Sequence, residues 1–176
     1  TLLRTGVASG SAVTAGTRLT GLVLVLAAPL AACTALDQRY EEGVAADGVQ
    51  SLMHRHSRTL EVEAGRVSAA MTDRAALATV WRRSGLPARS DSIFLARKWV
   101  TDGRMTFELA FRASATRGWE DGIALGCIRV DVPRTRGSAA EVQGIECSPR
   151  VHDWFGPTDV EVEWDPNWVE PSTPPE

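Results

Sequence analysis

The sequence offers few side chains whose types and spacing could perform acid–base chemistry. His152 and Asp153 are adjacent, and Glu120 is followed by a second acid, Asp121. A general base also needs a nucleophile within hydrogen-bonding reach, and this adjacency does not supply one. The chain has neither a Gly-x-Ser-x-Gly elbow nor a Ser-x-x-Lys motif. We therefore expect a protein that is not an enzyme. The alternative is a secreted hydrolase with an unrecognised active site that uses His152, Asp153 and Glu120.

Two further histidines lie close together in the segment His54-Arg55-His56. This pattern could indicate a metal or proton-transfer site. On a helix, however, side chains two residues apart point to different sides. We therefore predict no metal ion and no other cofactor.

Tryptophan is the residue type that best indicates a binding surface. The chain has six, and we expect Trp81 and Trp99 to pack in or over a sheet. The other four lie in or near turns and the acidic C-terminal end: Trp119, Trp154, Trp164 and Trp168. Aromatic side chains near a surface could bind a protein, a glycan or a membrane interface. Local packing over the edges of a small domain is the other interpretation.

The N-terminal region has the pattern of a secretion signal. Arg18 precedes an apolar run at residues 19–32. As a helix this run would cover about 21 Å, which is less than the roughly 30 Å of a bilayer's hydrocarbon core. The run ends in Leu30-Ala31-Ala32-Cys33, which resembles the lipobox of bacterial lipoproteins.

This resemblance covers about 15 of the 176 residues, and it implies a lipid-anchored protein. In bacterial lipoproteins the lipobox cysteine takes a diacylglyceryl group with acyl chains such as palmitate, and a peptidase cuts just before it. Cys33 would then become the first residue of the mature protein. We expect that protein on the extracytoplasmic face of the cell membrane, held by the lipid on Cys33.

If Cys33 is lipidated, an even pair of cysteines remains, Cys127 and Cys147. Outside the cytoplasm such a pair is expected to form a disulfide. Closing a loop of about 20 residues would stabilise the fold by roughly 3 kcal/mol on the chain-entropy estimate. A two-cysteine metal site is the competing interpretation, but it needs further ligands and the chain has only three histidines.

The charge distribution does not favour nucleic-acid binding. Residues 33–150 hold 17 basic and 15 acidic side chains, whereas residues 151–176 hold seven acids and no Lys or Arg. Neutralising phosphates needs clustered basic residues, and Arg134 and Arg136 form only a weak patch. The expected partners are the membrane, through the N-terminal lipid, and an envelope protein or cell-wall component. No nucleic-acid partner is expected.

Two helices are predicted before the first strand. Residues 33–50 carry two glycines and a low density of apolar residues, which indicates either a tether or the frayed start of a helix. Helical spacing then relates these positions: Ala45, Val49, Leu52, Met53, His56 and Leu60. The alternation at 59–63 also permits a short strand. A second helix begins at Thr72 or Asp73, either of which can cap it, and ends near Gly85.

A β-hairpin is predicted around Asp102-Gly103, a pair that favours a two-residue type I′ turn. The flanking segments are 92–100 and 105–113. If Thr101 lies opposite Arg104, the residue numbers of every cross-strand pair add up to 205. The pairs on one face are Val100 with Met105, Lys98 with Phe107, Ala96 with Leu109 and Phe94 with Phe111. Those on the other are Arg97 with Glu108 and Trp99 with Thr106.

Three further strands are predicted at 123–132, 142–148 and 160–164. The last alternates valine with acids, which is typical of an edge strand. We expect an α+β fold with N-terminal helical segments packed on a four- or five-stranded antiparallel sheet. The predicted organisation is a lipoprotein signal peptide at 1–32, a tether at 33–50, a single domain at 51–164 and a disordered acidic, proline-rich tail at 165–176. The domain is expected to be a small binding module.

Overall fold

The computed structural model describes residues 20–117, 120–134 and 138–171. The chain divides into two compact units, Thr1–Leu36 and Asp37–Glu176. The sheet and its cores belong to the second unit. Residues 1–19 of the predicted signal peptide lie outside the described residues.

Three helices are present in the described residues: α1 (Thr20–Gly65), α2 (Asp73–Arg83) and α3 (Pro149–Phe155). Helix α2 begins where the sequence predicts, because the Thr72 hydroxyl accepts a hydrogen bond from the Ala75 amide at 3.4 Å. Its last turn carries Arg82 and Arg83, whose charges suit a helix C-terminus. In the part of the chain that the structure describes, none of the helices combines the length and apolar character needed to cross a membrane.

One sheet contains the five described strands: β1 (Ile93–Thr101), β2 (Arg104–Arg117), β3 (Glu120–Pro133), β4 (Glu141–Gly144) and β5 (Val160–Glu161). The first four lie in the order β1-β2-β3-β4, and each neighbouring pair is antiparallel. β5 pairs with β3 and is parallel to it. The predicted α+β arrangement, with helices before a four- or five-stranded sheet, is confirmed.

Helix α1 differs from the predicted tether at 33–50. The helical spacing predicted from Ala45 onward is confirmed, because Ala45, Val49 and Met53 follow one another at intervals of about one turn and are all buried in the larger core. Gly48 does not mark a flexible segment, because a Cβ there would lie 2.9 Å from the Cβ of Ala113 on β2. The glycine therefore lets α1 approach the sheet closely. The competing strand at 59–63 is also helical, and Leu60 is fully buried within it.

The β1–β2 hairpin follows the predicted register from its turn as far as Arg97 and Glu108. Beyond that pair the prediction is wrong, since a β-bulge makes Ala96 an extra residue and places Leu95 opposite Leu109. Further along, Ile93 faces Phe111 and Phe94 faces Ala110. The bulge moves Phe94 to the opposite face of the sheet, where it is 1% exposed.

Each face of the sheet carries its own core. The face covered by α1 and α2 holds the larger one, and its fully buried strand residues include Met105, Phe107, Leu109, Phe111, Ile128 and Val130. On the other face Phe94 packs with Val151 of α3 and with two cysteines. These cysteines, Cys127 and Cys147, form a disulfide with Cα atoms 5.3 Å apart, which confirms the predicted pair.

Candidate functional site

The segment that follows β5 supplies half of the candidate site. This segment, residues 162–168, is called the C-terminal strap. Its first carbonyl, that of Val162, would lie 2.8 Å from a Cβ at Gly126, and the backbone nitrogen of Trp164 would lie 3.3 Å from a Cβ at Gly144. A Cβ at Gly126 would clash with the strap, and a Cβ at Gly144 would be in tight contact with it. The two glycines therefore fix the path of the strap across the sheet.

Polar side chains of α1 hold the strap in place. The amide of Gln50, which is 7% exposed, donates to the Glu163 carbonyl and accepts from the Asp165 amide at 3.4 Å. One turn further along α1, His54 Nε2 lies 2.8 Å from the Asp165 carbonyl oxygen. Because a carbonyl only accepts, Nε2 carries the proton in this contact. The helix thus satisfies backbone groups of the strap as a neighbouring strand would.

An aromatic stack forms where the strap meets α1. The His54 ring lies 4.1 Å from the Trp164 ring and 5.4 Å from the Trp168 ring, centroid to centroid, with interplanar angles of 28° and 26°. The indole N–H of Trp168 donates to Asp47 Oδ1 at 3.2 Å. Stacking and a hydrogen bond therefore hold the Trp168 ring in place, while stacking on His54 holds the Trp164 ring.

This stack borders an open groove of about 920 Å³, called the α1–β4 groove. One wall is α1, the second is β4 with the residue before it, and the third is the strap. The residues that line it include Arg55, Arg58, Glu61 and Val62 from α1, Ala140 and Val142 beside and on β4, and Trp164 and Trp168 from the strap. The groove offers aromatic and apolar contact surface beside charged groups of both signs, a combination suited to binding a ligand.

Two of the four tryptophans predicted to form a binding surface meet in this groove, Trp164 and Trp168. Trp154 lies elsewhere, on the opposite face of the sheet, where it is 45% exposed and its ring contacts Phe94 and Arg89. Trp119 lies outside the described residues. The predicted set therefore does not form one surface.

The residues considered for catalysis are placed differently. His152 Nε2 lies 3.4 Å from Glu161 Oε1, so its described side-chain partner is a carboxylate and not a hydroxyl or a thiol. Asp153 is exposed, and the side chain of Glu120 lies outside the described part of the structure. The expectation that the protein is not an enzyme stays a prediction.

The two histidines of α1 point to different partners, as helical geometry requires. His54 joins the strap, whereas the His56 ring packs parallel to Phe111 at 5.6 Å. Burial lowers the pKa of His56, and the nearby charge of Arg55 lowers it further. Among the described residues, no three His, Cys, Asp or Glu side chains lie close enough to hold a metal ion.

Arg134 acts as a structural link within the fold. Its guanidinium forms an ion pair with Asp73 and donates to the carbonyl of Met71 at 2.7 Å. It therefore ties the end of β3 to the start of α2. Arg136 lies outside the described residues, as does the side chain of Cys33, although its backbone is part of α1.

The chain was compared with protein-family models, with curated proteins and with solved structures, and it matches none of them.

Sequence reasoning missed the residues that assemble the groove, namely Gln50, His54 and the two glycines under the strap. One signal was present. Ile128 and Val130 face the core, and Gly126 occupies the next position on the same face of the strand. A glycine on the buried face of a strand often marks the close approach of another backbone.

Proposed function

We propose that this chain is a lipid-anchored protein of the extracytoplasmic membrane face, and that its domain binds a partner in the α1–β4 groove. The Cys127–Cys147 disulfide carries the proposal. Disulfides persist chiefly outside the cytoplasm, and this one accounts for two of the three cysteines. The remaining cysteine, Cys33, ends the lipobox-like pattern.

The division of the chain supports processing before Cys33. The second compact unit begins at Asp37, and the first buried side chain among the described residues is that of Glu41, which is 3% exposed. Cleavage between Ala32 and Cys33 would therefore leave the core of this unit complete. A short N-terminal stretch would then connect the lipid to the folded domain.

The groove supports a binding role. It is open, it presents the Trp164 and Trp168 rings in fixed positions, and it is lined by unlike charges such as Arg58 and Glu61. Fixed aromatic side chains provide large contact areas at a low entropic cost. An envelope protein or a cell-wall component is the expected class of partner.

The anchor is tested by mass spectrometry of the N-terminal peptide from protein expressed in the native host. We expect an acylated Cys33 at the N-terminus and recovery of the protein in the membrane fraction. Cys33→Ala should lose both, whereas Thr34→Ala, the matched control, should keep both. An unmodified Cys33 in a mature protein released to the medium would refute the anchor.

A further inference from the structure

The β4 strand has an open edge. Among the described strands β4 is the last in the order β1-β2-β3-β4, and its ladder with β3 runs from Asp131 and Glu141 to Ile128 and Gly144. β5 pairs further along β3, at Ala124 and Leu125, and so does not cover β4.

The register shows which β4 backbone groups face outward. The Ile145 amide donates to the Cys127 carbonyl at 3.0 Å, and this pair continues the register of the ladder by one position beyond Ile128 and Gly144. In an antiparallel pair, residues that exchange hydrogen bonds alternate with residues that do not. Gln143 therefore bonds to β3, while the N–H and C=O of Val142 point away from it, toward the open edge.

The open edge borders the α1–β4 groove, and apolar side chains flank it. Val142 and Ala140 line the groove on the strand side, while Val62 lines it from α1 and is 46% exposed. Trp164 lines it from the strap. The groove thus combines outward backbone donors and acceptors with apolar side chains. The backbone of an extended polypeptide complements the first, and its own apolar side chains complement the second.

The opposite edge of the sheet, formed by β1, is protected against strand addition, whereas the β4 edge is not. The β1 edge carries the bulge at Ala96, and it presents Arg97 and Lys98. Its first residues are covered by the chain before it, through hydrogen bonds from Ser90 N to Ile93 O and from Leu95 N to Ala88 O. Bulges, charges and covering loops are the usual means of blocking strand addition. The described ladder of β4 is regular.

We propose that the α1–β4 groove takes an extended peptide segment of a protein partner, which adds to the sheet as a strand beside β4. The peptide backbone pairs with the N–H and C=O of Val142. Alternate peptide side chains are apolar and contact Val62 and Trp164. This inference rests on the proposed function of the groove as the binding site, and it names the class of partner.

The test uses the purified full chain and a phage-displayed library of random linear 12-residue peptides. Peptides selected on the wild-type chain are then measured against Val142→Pro and Val142→Thr. Proline removes the outward N–H without removing a bond to β3, and edge strands tolerate proline at such positions. Threonine keeps the N–H and the side-chain shape. Amide spectra establish that both variants are folded.

We expect Val142→Pro to weaken binding about ten-fold or more, since it loses a hydrogen bond and places a ring against the partner backbone. Val142→Thr should stay within about two-fold. In the wild-type chain the bound peptide should protect the Val142 amide from hydrogen exchange, whereas protection of Gln143 should not change.

Equal binding to wild type and Val142→Pro, or no enrichment over the Val142→Pro background, would overturn strand addition. Concentration-dependent dimerisation that protects Val142 without peptide would overturn it in favour of a second copy of the chain.

Trp168→Ala separates the strand-addition proposal from the proposal that the groove is the binding site. If it weakens peptide binding while Val142→Pro does not, the groove remains the binding site and the strand-addition proposal is wrong. If neither change weakens binding, both are wrong.

Discussion

The His54 ring of α1 stacks on the Trp164 ring of the C-terminal strap, with centroids 4.1 Å apart. The same histidine also donates to the strap backbone at Asp165. One helix residue therefore holds both a side chain and a carbonyl of the strap. The shape of the groove depends on this contact.

Replacing His54 with alanine should release the strap. The change removes two aromatic contacts and one hydrogen bond, and we expect the free energy of unfolding to fall by about 1–2 kcal/mol. Tryptophan fluorescence should shift to longer wavelength as Trp164 and Trp168 become hydrated. Arg55→Ala, at an exposed neighbouring position, is the control. Equal effects of the two substitutions would contradict this role of His54.

Gly126→Ala should also displace the strap, because Gly126 lies on β3 directly against it. The added Cβ would collide with the Met53 side chain and lie 2.8 Å from the Val162 carbonyl. Overpacking of this kind costs about 1–3 kcal/mol, which urea denaturation would detect. Gly43→Ala is the control, and it should change the free energy of unfolding in the opposite direction. Position 43 has no atom within 4 Å of its would-be Cβ, so alanine should stabilise the helix by about 0.5–1 kcal/mol. If Gly126→Ala leaves the free energy of unfolding unchanged, the strap does not pass as close to Gly126 as described.

Removing the disulfide should destabilise the domain through the unfolded state. The bond between Cys127 and Cys147 spans a sequence separation of 20, and closing a loop of that length contributes roughly 3 kcal/mol. We expect the double substitution of both cysteines by alanine to lower the free energy of unfolding by about this amount. A reductant should have the same effect on the wild-type chain and none on the double variant. A wild-type transition that is insensitive to reductant would contradict the bond.

Stability should decrease in mildly acidic solution because of His56. Burial lowers its pKa in the folded chain from the ordinary value of 6.5, so the unfolded chain takes up the proton first. The free energy of unfolding should therefore fall as the pH drops below about 6.5, and this contribution should level off once the pH is below the lowered pKa. His56→Gln should reduce the loss measured between pH 7 and pH 5. Arg55→Gln should reduce it less, because charge is the smaller cause. If the free energy of unfolding depends on pH identically in the wild type and in His56→Gln, His56 is not the cause of the loss in acid.

Sequence patterns predicted local structure well where one short signal decided it. Asp102-Gly103 fixed the hairpin turn, and the register held from Thr101 and Arg104 to Arg97 and Glu108. The bulge at Ala96 could not be predicted because alternation permits either face for Phe94. Only the presence of α3 and the disulfide on the second face makes that location favourable.

The candidate site was less accessible to prediction because distant segments build it. Residues 165–168 were expected to belong to a disordered tail, yet Asp165 and Trp168 bond to α1. Proline content and negative charge describe how a segment behaves alone. They do not reveal that Gln50 and His54 offer it hydrogen bonds.

The hydrogen bond between Trp168 and Asp47 bears on the order in which the protein folds. The two residues are 121 positions apart in the chain, and the described strands lie between them. Contacts of such long range must close a large loop and form slowly. During synthesis the α1 wall of the groove emerges before β4, and the strap with its two tryptophans emerges after β4. We therefore expect binding competence to arrive as the final step of folding, after the sheet has formed.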